Sequence, residues 1–345
     1  MFIDRNVRKI RNWRKYQTWQ TRRRTKYLQR HRISVYKLRL RRGSTLGVQL
    51  KKSAKRKDRI QTATIKAPAQ FSILHNPAET LKFLNEVNHK LRTRHLFVDM
   101  SGIAMLTAEA VAAFVAVMKN QRHENVKISG NVPSSPLLAT KLEDFGFYDQ
   151  VKRRGAPIET QRGTILLNRN RFQLARDNTV QSEIAGQMVD FARRIFPEDL
   201  HKGVFTMFME ATTNTVEHGS NSESPTQWVA GAYYDKDRNV MAFTVIDQGV
   251  GILNSVKFQK DMRALWRRAT WSSGEKLRQL LLGNMRSRTK EPHRGLGLPG
   301  AFLAFKAGRI SDLAIISNSG FAHSRAERYE ELAVGFDGTI IYWEV

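Results

Sequence analysis

The stretch FMEATTNTVEHGS, residues 208–220, sets Glu210, Asn214 and Glu217 within about 60 degrees of one another if it is a helix turning about 100 degrees per residue. His218 flanks that stripe, while Val204, Phe205, Phe208, Met209, Ala211 and Val216 occupy the other side. A polar stripe on an amphipathic helix is ordinarily its wet face. Two later stretches give it possible chemistry. In DQGVGI, Asp247 to Ile252, a carboxylate closes an apolar run and is followed by Gly249 and Gly251. Glycines let backbone approach a flat ligand closely, and the carboxylate can accept a hydrogen bond from it. The same pattern also occurs as an ordinary strand-to-loop turn. In HRGLGLPGAF, residues 293–302, Gly295 and Gly297 lead into an apolar helix whose first amides would point outward, as an anion site requires.

These residues need elements to hold them. The polar stripe falls on a helix over about 200–218, and a long amphipathic helix precedes it, starting at Asp177 or Asn178 and stopped by Pro197. TQWVAGAYYD and NVMAFTVID read as strands joined by a polar turn at KDR, and the second carries Asp247 at its end. DLAIISNSG and FDGTIIYWEV read as two closing strands, the last opening with Gly338 and Thr339. Upstream, NPAETLKFLNEVNHKL (76–91) predicts a helix started at Asn76 and Pro77. HLFVDM (95–100) reads as a buried strand, 107–121 as a helix, NVKISG (125–130) as a strand, and 134–147 as a helix with Ser134 or Ser135 near its cap. This alternation predicts the α/β class. Residues 1–60 form an extension, 61–150 a small α/β domain, 151–170 a linker, and 171–345 a second domain.

The ordered set E-x-x-x-N, D-x-G-x-G, G-x-G-L and a terminal G-T strand resembles the Bergerat-fold ATPases, over about residues 165–345. This is the GHKL superfamily of gyrase, chaperone ATPases, mismatch-repair ATPases and histidine kinases. The resemblance implies an α+β two-layer sandwich that binds ATP and Mg2+. It implies Asn214 as the Mg2+ ligand and Glu210 as the carboxylate that orients or deprotonates the attacking group. It implies that His218 borders the nucleotide and that Asp247 binds the adenine amino group. Gly249, Gly251 and Ile252 would shape the base pocket, and Thr339 would support the adenine. Arg294, Gly295, Leu296, Gly297 and Leu298 would wrap the phosphates. Residues 253–294 then read as a lid. Its Arg286, Arg288 and Lys290 either reach phosphate or are solvated surface charges.

The strand-loop-helix HLFVDMSGIAMLTAEAVAAFVAVMK resembles the STAS fold of anti-sigma factor antagonists, over roughly residues 62–150. Asp99 and Ser101 fit the family's first motif. Where that family places a phosphorylatable serine, this chain reads LTAEA, with Thr107 nearby, so the resemblance implies partner docking more than a phospho-switch. EATTNTVEHG is similar to the anti-sigma-factor serine kinases, whose substrates are STAS proteins. His89 and His95 sit beside the strand as structural or surface residues, and no His-Glu dipeptide on an upstream helix marks a phosphoaccepting histidine.

Composition narrows the class further. The chain has 345 residues, 41% of them hydrophobic, enough for two domains. Absence of cysteine removes disulfides, thiol nucleophiles and thiolate metal sites, and suits the cytoplasm. Neither a secretory h-region nor a run of 18 apolar residues is present, so no membrane span is expected. Residues 1–60 hold 22 Lys and Arg against Asp4 and Asp58, which is +20 of the chain's net +27. Trp13, Tyr16, Trp19, Tyr27 and Tyr36 alternate with these charges. Such a segment favours a polyanion: nucleic acid, an acidic protein surface or anionic lipid. Three functions stay open: an ATP-hydrolysing switch acting on a protein partner, a second protomer or nucleic acid; a serine/threonine kinase; and a non-catalytic, ATP-bound adaptor.

Overall fold

The computed structural model describes residues 62–118, 126–150, 173–175, 182–196, 198–218, 228–255, 270–284 and 297–345. The basic extension and the expected linker at 151–170 lie outside the described residues, as do the helix start at Asp177 or Asn178 and Pro197.

The first elements are β1 (Thr62–Lys66), β2 (Gln70–Phe71), α1 (Pro77–Lys90), β3 (His95–Asp99), β4 (Met105–Leu106) and α2 (Ala108–Met118). Then come β5 (Ile128–Gly130), α3 (Pro136–Asp144) and α4 (Phe147–Gln150). Strands β1, β3 and β5 form a parallel sheet in that order, and β2 pairs with β4. Helix α1 forms because Leu81, Leu84, Val87 and Leu91 recur on one face and all are buried. Its Asn76 cap turns its carboxamide back to the Gln70 carbonyl at 3.1 Å instead of onto the first turn. Helix α2 is apolar nearly all round, with Ala110 through Val117 buried, as a helix packed between two layers must be.

The second set is β6 (Gln173–Ala175), α5 (Ser182–Arg193), α6 (Glu198–His218), β7 (Trp228–Asp235), β8 (Val240–Asp247) and α7 (Ile252–Ser255). It ends with α8 (Ser273–Leu281), α9 (Gly297–Lys306), β9 (Asp312–His323) and β10 (Arg328–Glu344). Its five strands form an antiparallel sheet in the order β6-β7-β8-β10-β9. Side chains of a strand alternate between faces. Met241, Phe243 and Val245 of β8, with Ile341 and Trp343 of β10, pack in one core with α5, α6, α8 and α9. Ile246 and Ile340, one residue out of phase, join Leu84, Val111 and Phe114 in the other. Helices α1 and α2 thus cover the second face of the sheet, and Gln61–Val345 is one compact unit. The chain is of the α/β class, with parallel and antiparallel sheets together. Among the described residues of 173–345 the helices α5, α6, α8 and α9 cover one face of the antiparallel sheet, and upstream sequence covers the other.

Three differences from the sequence reading have physical causes. Strands β1, β2 and β4 are short and gain their partners only at long range. Strand β10 runs 17 residues and begins at Arg328, before the FDGTIIYWEV read as a strand, because register shifts between Glu331, Phe336 and Thr339 absorb an irregularity within the ladder. Helix α8 falls inside the expected lid, yet Leu277, Leu280 and Leu281 are buried and Ser272 caps it by accepting from the Glu275 N–H. That helix is a wall of the core, and residues 256–269 and 285–294 of the expected lid lie outside the described residues. Among the described residues no helix is long and apolar enough to cross a membrane.

Candidate functional site

Asp247 ends β8 on the face covered by α6, in phase with Val245 and Phe243. Its neighbours across the sheet are Thr339 of β10 and Trp228 of β7. Asp247 is only 6% exposed. Oδ1 accepts from the Gly249 N–H at 2.8 Å and Oδ2 from the Thr215 hydroxyl at 3.4 Å, and the polar groups of Thr339 beside it also favour the ionised form. Burial pushes its carboxyl up from 3.8 to about 6 against the opposing pull of those donors. All the groups around it are uncharged, so no salt bridge neutralises its ionised form.

Helix α6 brings the polar stripe alongside. Val204, Met207, Phe208 and Ala211 are buried, and Thr212 and Thr215 are buried with hydroxyls bonded to the helix carbonyls of Phe208 and Ala211. Glu210 and Asn214 are half-buried, so this face is no fully wet surface. Phe205, expected on the apolar side, is 40% exposed. His218 is the last residue of α6, and its side chain lies outside the described residues, as does that of Glu217. Gly297 opens α9, and Leu298 packs against the same core as α6. Arg294, Gly295 and Leu296 lie outside the described residues, and so do Arg286, Arg288 and Lys290.

The loop after Asp247 is held from β9 by two residues that motif reading passes over. The Ile252 N–H donates to Ser317 Oγ at 2.6 Å, and the Asn318 carboxamide donates to the Val250 carbonyl at 3.0 Å. Gly251 has φ +78, and a Cβ there would meet the Asn318 carboxamide at 2.5 Å. Gly338, φ +133, brings β10 so close that a Cβ would stand 2.0 Å from the Asp247 carbonyl oxygen. The only sequence signal for Ser317 and Asn318 is a polar interruption, SNS, in an otherwise apolar strand.

The upstream candidates lie elsewhere. Asp99 Oδ1 accepts from the Ser101 hydroxyl, the Asn131 carboxamide and the Ser101 N–H, which hold its carboxyl down to about 2. The Thr107 hydroxyl donates to buried Glu109, whose carboxyl burial pushes up. His95 Nδ1 accepts from the Lys127 N–H at 3.0 Å, and His89 lies in the last turn of α1.

The site therefore joins a buried acceptor carboxylate, a glycine-containing turn after it, a threonine across the sheet, and a carboxylate and a carboxamide on the adjoining helix. Among the described residues no cluster of three His, Cys, Asp or Glu could hold a metal. A hard cation beside Asn214 would draw its remaining ligands from ligand oxygens and water, as Mg2+ commonly does. No protein-family model matches the chain, and no curated protein matches it.

Proposed function

We propose that the chain binds ATP with Mg2+ at the Asp247 end of the antiparallel sheet and hydrolyses it as a regulatory switch. The observation that carries this reading is the convergence of separate motifs on one carboxylate: Thr215 from α6 and Gly249 from the loop bond Asp247, and Thr339 of β10 faces it across the sheet. The antiparallel sheet with helices on one face supports a Bergerat-type fold for residues 171–345, and the parallel β1-β3-β5 sheet supports a STAS-like one for 61–150.

In this reading the ionised Asp247 accepts from the adenine amino group, while the backbone of Gly249 and Gly251 lines the ring. Asn214 offers a carboxamide oxygen to Mg2+, which when bound neutralises developing phosphate charge. Glu210, one turn earlier on the same face, orients a water or takes its proton. Residues 1–60 deliver the unit to nucleic acid or another polyanion, and the STAS-like part docks a protein partner or a second protomer. A cytoplasmic setting fits this role.

A second reading, a serine/threonine kinase of the anti-sigma-factor type, is favoured by EATTNTVEHG beside a STAS-like unit. Its acceptor would lie on another molecule, because Thr107 is engaged with Glu109 and belongs to the segment packed on the opposite face of the sheet. The deciding experiment follows γ-labelled ATP with Mg2+ in wild type and Glu210→Gln. Free phosphate lost in the variant supports the switch; label on a hydroxyl side chain of an added partner makes it a kinase. Bound, unconsumed ATP leaves an adaptor, and no binding at all overturns the nucleotide reading.

A further inference from the structure

Asn318 sits in the middle of β9 with φ +54, a left-handed conformation that a residue with a Cβ enters at a cost. Register shifts on both sides isolate its pairing with Phe336, so a bulge surrounds it. Bulges and left-handed residues near sites re-aim side chains, and here the effect is visible. The carboxamide turns off the strand and donates to the Val250 carbonyl at 3.0 Å. Its own oxygen is 3.4 Å from the Ser317 hydroxyl, which accepts from the Ile252 N–H at 2.6 Å. Both ends of Gly251, a residue with positive φ and no side chain to anchor it, are therefore tied to β9.

We infer that Asn318, supported by Ser317, is a positioning residue that holds the Val250–Ile252 turn in the conformation that receives the ligand's flat ring. This role rests on the nucleotide reading above and adds to it a residue outside the four motifs. Without the clamp a glycine-containing turn has many conformations, and ordering it on binding costs affinity. Asparagine suits the position because it tolerates positive φ and offers an N–H donor together with an acceptor.

The test uses the full chain and a non-hydrolysable ATP analogue with Mg2+. Asn318→Gly relieves the backbone while deleting the clamp; Asn318→Asp keeps the shape but cannot donate to the Val250 carbonyl. Affinity is read by calorimetry, thermal midpoint by calorimetric scan, and the loop by amide hydrogen exchange over 248–253. Both variants are expected to bind the analogue roughly tenfold more weakly and to exchange the Gly251 and Ile252 amides faster. Asn318→Gly should keep its midpoint within about 2 °C, a separation that a purely structural role would not produce. Variants that bind within twofold of wild type, or lose affinity only in step with the midpoint, overturn the role while the nucleotide reading stands. A wild-type chain that binds no analogue overturns both.

Discussion

The Thr215 hydroxyl lies 3.4 Å from Asp247 Oδ2 and 3.1 Å from the Ala211 carbonyl oxygen of its own helix. It has a single proton, so the carboxylate and the helix carbonyl compete for it. The contact fixes α6 against the end of β8. It thereby sets where the polar stripe of the same helix, with Asn214 and Glu210, stands relative to Asp247.

Thr215→Val removes a donor to the ionised carboxylate, so the Asp247 carboxyl should rise further above about 6. An adenine amino group bonds the ionised form, and affinity falls as pH drops through that value. The midpoint of the affinity–pH curve should move upward by roughly half a unit to one unit in Thr215→Val and stay put in Thr215→Ser. Titration of analogue binding between pH 5 and 8 checks this; coincident curves would remove Thr215 from the site.

Asp247→Asn separates ligand binding from folding. The folded carboxyl lies at about 6 against an ordinary 3.8, so the native state takes up a proton between about pH 4 and 6. The stability this group contributes is fully present below pH 4 and lost as pH rises through 6, a penalty on the ionised form of roughly 3 kcal/mol. Asparagine can still accept from Gly249 and can donate to the threonine hydroxyls. Urea unfolding at pH 7.5 should show stability equal to or above wild type, without the decline between pH 4 and 6. Stabilisation by ATP should vanish in the same variant.

Gly338→Ala should be among the most damaging single-methyl changes in the chain. The added Cβ would stand 2.0 Å from backbone of Asp247 at φ +133, and backbone cannot swing aside as a flexible side chain can. A loss of more than about 3 kcal/mol is expected in chemical denaturation. Gly102→Ala, with nothing within 4 Å, is the control and should shift stability by less than about 0.5 kcal/mol.

Deleting residues 1–60 removes +20 of charge. If the extension neutralises phosphates, nucleic-acid affinity should collapse and the slope of log affinity against log salt should flatten, each lost duplex contact removing about 0.9 from it. Filter binding from low to physiological salt measures this; equal slopes with and without the extension would refute the polyanion reading.

The longer helices and strands were legible in the sequence because their causes are local. The apolar alternation of VMAFTVID dictates a strand, the spacing of Val204, Phe208 and Ala211 a helix face, and a carboxylate before Gly249 and Gly251 a strand end that can turn sharply. Tertiary structure decided the rest. Thr215 meets Asp247 across 32 residues, and Thr339 faces it only in the register the β8–β10 ladder adopts. Ser317 and Asn318 reach the loop only through a bulge that spans two strands. The second face of the sheet is buried only because α1 and α2, far upstream, bring apolar side chains to it. Periodicity reports which side of an element is apolar, but which element covers it depends on long-range packing that no window of neighbouring residues contains.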